Sequence, residues 1–145
     1  MFRHLFFLIF VFTACQVSHN HEHQGQETKL SQANQALYDE VMKVHDEVMP
    51  KWSIIAKYRD TLDLELKDEQ IQKDTAMLRK YQRIRGDLNY AYQAMNLWMR
   101  EFEVSYEGKS EEEIKAYLEK EKEKISKVSG KMLGSLEAAK TRRNK

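Results

Sequence analysis

The residues Phe12-Thr13-Ala14-Cys15 close a short apolar run and put the chain's single cysteine where a bacterial lipoprotein signal carries its acylated thiol. In that chemistry the Cys15 sulfur takes a lipid, the chain is cut after Ala14, and the new amine is usually acylated as well. Arg3 and His4 supply a positive start, and Leu5 to Phe12 supply the apolar stretch of a secretory signal. About ten apolar residues rise only about 15 Å as a helix, half the hydrocarbon thickness of a bilayer, which is too short for a permanent span. Several acyl chains, at roughly 0.8 kcal/mol per buried methylene, would hold residue 15 to a membrane effectively permanently. Residues 1–14 are therefore read as a lipoprotein signal peptide. The expected location is the bacterial cell envelope, outside the cytoplasm, with the outer membrane as the expected surface. A lone thiol has no intrachain partner, so no disulfide braces the fold.

Two other groups have side chains capable of chemistry. His19-Asn20-His21-Glu22-His23 sets three imidazoles at alternate positions. They lie in residues 15–32, a polar stretch too poor in apolar surface to collapse and so expected to be a flexible tether. Neutral imidazole ligates zinc, copper or nickel, but ordering a flexible chain is entropically costly, so His19, His21 and His23 would hold a metal weakly. The plainer reading is a hydrophilic linker.

Further on, Met42, His45, Met49 and Trp52 follow at spacings of three, four and three, which puts them on one helical face. Thioether sulfur with imidazole suits Cu(I), and helical bundles hold haem between such side chains. The plainer reading is that methionines at this spacing fill a core. No Cys-x-x-Cys-His, HExxH, glycine-rich phosphate loop or nucleophile elbow occurs, and no enzymatic activity is expected. Lys and Arg number 24 against 23 Asp and Glu, so no bulk charge points to nucleic acid.

The elements that must position these residues are helices. One proline and five glycines in 145 residues, with abundant Glu, Lys, Leu, Met, Gln and Ala, favour them throughout. Apolar stripes run through Leu37, Val41, Val44, Val48, Ile55, Tyr58 and Leu62, then through Ile71, Leu78, Tyr81, Leu88, Tyr92, Met95, Met99 and Phe102. A third covers Ile114, Leu118, Ile125, Val128, Met132 and Ala139. Asp68 is placed to cap the second helix, Gly108 to end it in the left-handed conformation, and Ser110 with Glu113 to open the third as a capping box.

The expected fold is all-α, an antiparallel up-down-up three-helix bundle over residues 33–145, each helix roughly 35 residues and about 50 Å long. The apolar register runs on from Val48 to Ile55, so the first helix is expected to be continuous but kinked at Pro50. Turns centred near Asp68 and Gly108 would bring Pro50, Gly86 and Gly130 to one height, with Trp52 and Gly134 beside them. A glycine inside a helix costs roughly 1 kcal/mol relative to alanine, so that layer would be a flexible waist or a notch for a bulky ring. Coincidence of register is the plainer reading. Gly130 and Gly134 are expected to pack closely against an aromatic. The alternating charges from Glu119 to Lys127 are read as solvated intrahelical pairs.

Residues Tyr38 to Lys51, with Ala94-Met95-Asn96-Leu97-Trp98-Met99 and Tyr117-Leu118-Glu119-Lys120-Glu121-Lys122, resemble small helical lipoproteins of the Bacteroidota type. That family often carries the label "viral A-type inclusion protein". The resemblance would span most of the chain beyond the signal. It implies a lipid anchor and a helical body, and it implies no activity. The expectation is a lipid-anchored envelope protein in a structural or protein-interaction role, its partner another protein or a second copy. The covalent lipid on Cys15 would be its only added group. Two alternatives stay open: periplasmic binding or sensing of a soft metal or haem, and a holdase-like chaperone.

Overall fold

A computed structural model describes residues 29–143. Helices make up 84% of them and no strand occurs among them, so the fold is all-α. The helices are α1 (Gln32–Glu65), α2 (Glu69–Lys73), α3 (Thr75–Glu101) and α4 (Glu111–Thr141). Four stand where three were expected, because the first connection is not a bare turn. Asp68 accepts from the Gln70 N–H (2.8 Å) and caps only the short α2. Asp74 then opens α3, its carboxylate accepting from the Ala76 and Met77 N–H groups, both at 3.0 Å.

The second connection also differs. α3 closes at Glu101, where Phe102 turns extended, so Gly108 does not end it. Gly108 is left-handed (φ 76°) within a turn closed by the Lys109 N–H donating to the Tyr106 carbonyl at 3.1 Å. No other described residue has a positive φ, which makes this a type II turn, the kind that needs glycine at its third position. The capping box forms as read: Ser110 Oγ accepts from the Glu113 N–H (3.3 Å), and Glu113 accepts from the Ser110 N–H (2.8 Å). The Ser110 bonds hold the Glu113 carboxyl below its usual range.

The core follows a seven-residue repeat. In α1 the buried positions are Val41, Val48, Ile55 and Leu62, with Asn34 one heptad upstream. In α3 they are Tyr81, Ile84, Leu88, Ala91, Met95 and Trp98, at alternate steps of three and four, and α4 repeats that rhythm from Leu118 to Met132. This 3.5-residue period is that of knobs-into-holes packing.

α1, α3 and α4 all pack on one another as a helical bundle. The Asn34 side-chain amide donates to the Glu111 carbonyl (3.0 Å) and carboxylate (2.6 Å), joining the beginnings of α1 and α4. Arg142 donates to both oxygens of Glu65 (2.8 and 2.6 Å), joining their ends. Across α1 and α3 the pairs His45–Trp98, Trp52–Tyr92 and Asp63–Arg85 advance along one helix and recede along the other. Pro50 is exposed, and α1 runs on through it although its ring removes a donor from the Asp46 carbonyl. Among the described residues no helix is long and apolar enough to cross a membrane.

The Glu65 fork has a pH consequence. The Arg142 hydrogen bonds, with help from Arg143, hold the Glu65 carboxyl below its ordinary value of 4.5 against the opposing effect of burial. A depressed carboxyl pKa stabilises the fold above the unfolded value, and that contribution is lost as pH falls through the folded one. The urea midpoint is therefore expected to drop on acidification below 4.5. In Glu65→Gln the drop should be shallower by on the order of 1 kcal/mol. Identical acid limbs in the two proteins would reject this assignment.

Candidate functional site

Cys15, His19, His21 and His23 lie outside the described residues. The other metal candidates, Met42, His45 and Met49, share one side of α1 with Trp52. Their side chains are engaged with α3 and the core. The His45 ring centre is 5.5 Å from that of Trp98, and Nδ1 is 2.8 Å from an oxygen of Asp46. Trp52 stacks on Tyr92 at 4.6 Å and donates its indole N–H to the Tyr92 carbonyl at 3.3 Å. Met42 and Met49 are half-buried against the core. Among the described residues no three His, Cys, Asp or Glu side chains gather as a metal site would require.

The expected layer of Pro50, Trp52, Gly86, Gly130 and Gly134 does not form. Pro50 lies between His45 and Trp52 in α1, so it is level with the stretch between Trp98 and Tyr92, about two turns from Gly86. The extra residues of α2 in the first connection cause that offset. Gly130 and Gly134 do run alongside the Gly86–Tyr90 stretch, since the Lys131 ammonium sits 4.5 Å from the Tyr90 ring centre. None of the three glycines makes room for a ring, because a methyl group on any of them would meet nothing within 4 Å. Gly86→Ala, Gly130→Ala and Gly134→Ala are each expected to raise stability by about 0.5–1 kcal/mol. Thermal unfolding should show a gain of about 2–5 °C for each, and a loss would mean that the glycine is needed for packing.

Buried polar groups went unseen in the sequence. Glu121 was read as solvated, yet its side chain is 3% exposed and pairs with Lys124 at 2.6 Å. Its neighbours Lys115–Glu119 and Lys127–Glu123 do form exposed pairs, at 3.9 and 3.8 Å. The Phe102 and Tyr117 rings lie 6.1 Å apart. One turn back along α3 is Trp98, and one turn on along α4 is Glu121, so both belong to one layer. The Trp98 indole N–H and the Tyr106 hydroxyl are buried without a hydrogen-bond partner among the described residues. Burial, then the nearby Tyr117, pushes the Tyr106 hydroxyl up to about 12.

An open, partly apolar surface lies at the other end of the bundle. There the close of α1, α2, the start of α3 and the close of α4 border a groove that includes Leu64, Ile71, Met77, Tyr81 and Arg143. Leu64 is 68% exposed and Met77 39%. Ile71 and Tyr81 are buried beneath them. Glu65 anchors the rim through Arg142, whose guanidinium also lies 5.7 Å from the Tyr58 ring centre. Sequence reading missed this site because it needs four helix ends to converge. The available signals were Leu64 and Met77, apolar residues off the stripes of their segments. No protein-family model, curated protein or solved structure matches the chain.

Proposed function

We propose that this chain is a lipid-anchored protein of a bacterial envelope whose helical body binds another protein, with the far groove as the contact surface. One observation carries the reading. The exposed Leu64 and Met77 sit at the end of the bundle opposite the one where the chain enters α1. In a body tethered to a membrane through Cys15 the groove would lie at the end farther from the point of attachment, open to a partner. The lipobox reading of residues 12–15, and the resemblance of Tyr38–Lys51 to small Bacteroidota-type lipoproteins, support the anchor. The body is read as an up-down-up arrangement of three long helices with α2 as an insertion in the first turn, and with a bend in α1 at Pro50.

Two measurements test the proposal. Intact-mass analysis of protein from native membranes should find a chain that begins at an acylated Cys15. A chain that starts at Met1, or carries an unmodified thiol, rejects the anchor. A photo-crosslinking residue at Leu64 should give adducts of discrete mass in cells, while the same residue at the exposed Lys57 should not. Equal labelling from both positions rejects the groove as the contact surface.

A further inference from the structure

We infer that the side of the bundle formed by α3 and α4 rests on an anionic lipid surface, with Tyr90 and Leu97 in the headgroup layer and the cations around them on lipid phosphates. This deepens the anchored reading and rests on it for the source of the surface. The Lys131 ammonium, 4.5 Å from the Tyr90 ring centre, fixes which flank of α3 adjoins which flank of α4. Arg83 and Leu97 lie seven residues to either side of Tyr90, and Arg79 lies eleven before it, so all four share one line along α3. Lys120 and Lys127 precede Lys131 by eleven and four residues and share its flank of α4. Tyr90 is 57% exposed and Leu97 45%, and all five of those cations are exposed.

The charge balance stands with every carboxylate counted as ionised. The exposed charges of α3 are Arg79, Arg83 and Arg100 against Asp87 and Glu101. Between Lys120 and Lys131, α4 adds Lys120, Lys124, Lys127 and Lys131 against Glu121 and Glu123, while Lys122 reaches the other way to Glu40 of α1. Glu121 pairs with Lys124 at 2.6 Å and Glu123 with Lys127 at 3.8 Å. Seven cations thus meet four carboxylates, and three positive charges are left over around two exposed apolar side chains. α1, on the side of the bundle away from this face, carries the exposed acids Asp39, Asp46 and Glu47.

The three arginines spread over about 30 Å of α3. A bilayer offers phosphates at any register and an apolar layer beneath them, so arginine and lysine stems can reach outward while Tyr90 and Leu97 sink. Tyrosine favours that boundary, with its ring in the apolar layer and its hydroxyl in water. An acidic protein would need carboxylates matched to those fixed spacings.

Vesicle sedimentation tests this on the chain from residue 15 onward carrying Cys15→Ser, which has no acylation point and keeps the whole described body. Losing residues 1–14 removes Arg3 and no acid, so Lys and Arg fall from 24 to 23 and equal the 23 Asp and Glu. Net charge therefore gives that chain no attraction to an anionic surface. Vesicles with about 30% phosphatidylglycerol in phosphatidylcholine should bind it at least about tenfold more tightly than phosphatidylcholine alone. Salt raised from about 0.05 to about 0.3 M should remove most of the difference. Arg83→Glu with Lys131→Glu should weaken the binding at least about tenfold, and Leu97→Ser about threefold. Lys43→Glu with Lys57→Glu makes the same change in net charge at exposed positions of α1 and should cost less than about twofold. Circular dichroism checks that each variant keeps the parent's helicity. Binding to neither vesicle, equal binding to both, or equal losses in the two reversal pairs overturns the inference. So does soluble polyglutamate that binds as tightly as the vesicles, which would assign the face to an acidic protein. An acylated Cys15 in native membranes, with no vesicle binding by this chain, keeps the anchor and rejects the inference. Vesicle binding without native acylation does the reverse.

Discussion

Leu118→Ala is expected to lower stability by about 3–4 kcal/mol, with a reduced urea midpoint and an unchanged m value. Leu118 is fully buried in the smaller core cluster, with Tyr106 and Ile114 as buried neighbours and Tyr38, Phe102 and Tyr117 around them. Removing its branched end forfeits the transfer energy of three carbons and leaves a cavity. How far the surroundings collapse decides the rest. Here much of the wall is flat aromatic rings held against one another at centroid distances near 6.0 Å, and such rings cannot flow into the space as methionines would. That places the cost above the lower limit for leucine truncation. Leu97, which is 45% exposed on α3, is the matched control and should lose under about 1 kcal/mol. A loss that small at Leu118 would mean that the aromatic end is far more plastic than its packing indicates.

The second large effect runs the other way. Glu121→Leu is expected to stabilise the protein by about 1–3 kcal/mol. The Glu121 carboxylate occupies a core position of the α4 repeat, and among the described residues its hydrogen-bonding partner is Lys124, itself 43% exposed. Taking a carboxylate out of water costs several kcal/mol, and one half-solvated ammonium repays only part of that. Leucine fits the same position in the repeat, between Leu118 and Ile125, and leaves Lys124 free to hydrate. Chemical denaturation of both proteins reads the difference directly. A destabilised Glu121→Leu would show that the carboxylate has an essential polar role in the layer it shares with Trp98.

Much of the helical body was legible before any coordinates. Every residue of the expected α4 stripe is buried, because a capping box fixes where the helix starts and no proline interrupts it. α3 was read less well. Tyr92 and Met99 were taken for its centre line and are half-buried, whereas Ile84, Ala91 and Trp98 fill the seam. Apolar residues occur on both flanks of that helix, so its stripe can be drawn in two ways. Asn34 and Glu121 were invisible for a different reason. A hydrophobic period cannot register a polar side chain at a seam position, although both sit where a strict heptad would have put a core residue. The height error at Pro50 and Gly86 came from α2, since an aspartate cap at Asp74 looks in sequence like any other loop acid.

Where the chain enters the bundle decides how it would yield to force. A pull on Lys29 is felt first at Ser31 and Asn34, where one side-chain amide grips both the carbonyl and the carboxylate of Glu111. With the chain drawn toward Lys29 and the body held at the far groove, the two points lie at opposite ends of the bundle and the load runs along the helix axes. Tension in that direction would slide α1 against its neighbours and strain the buried contacts of its whole length together.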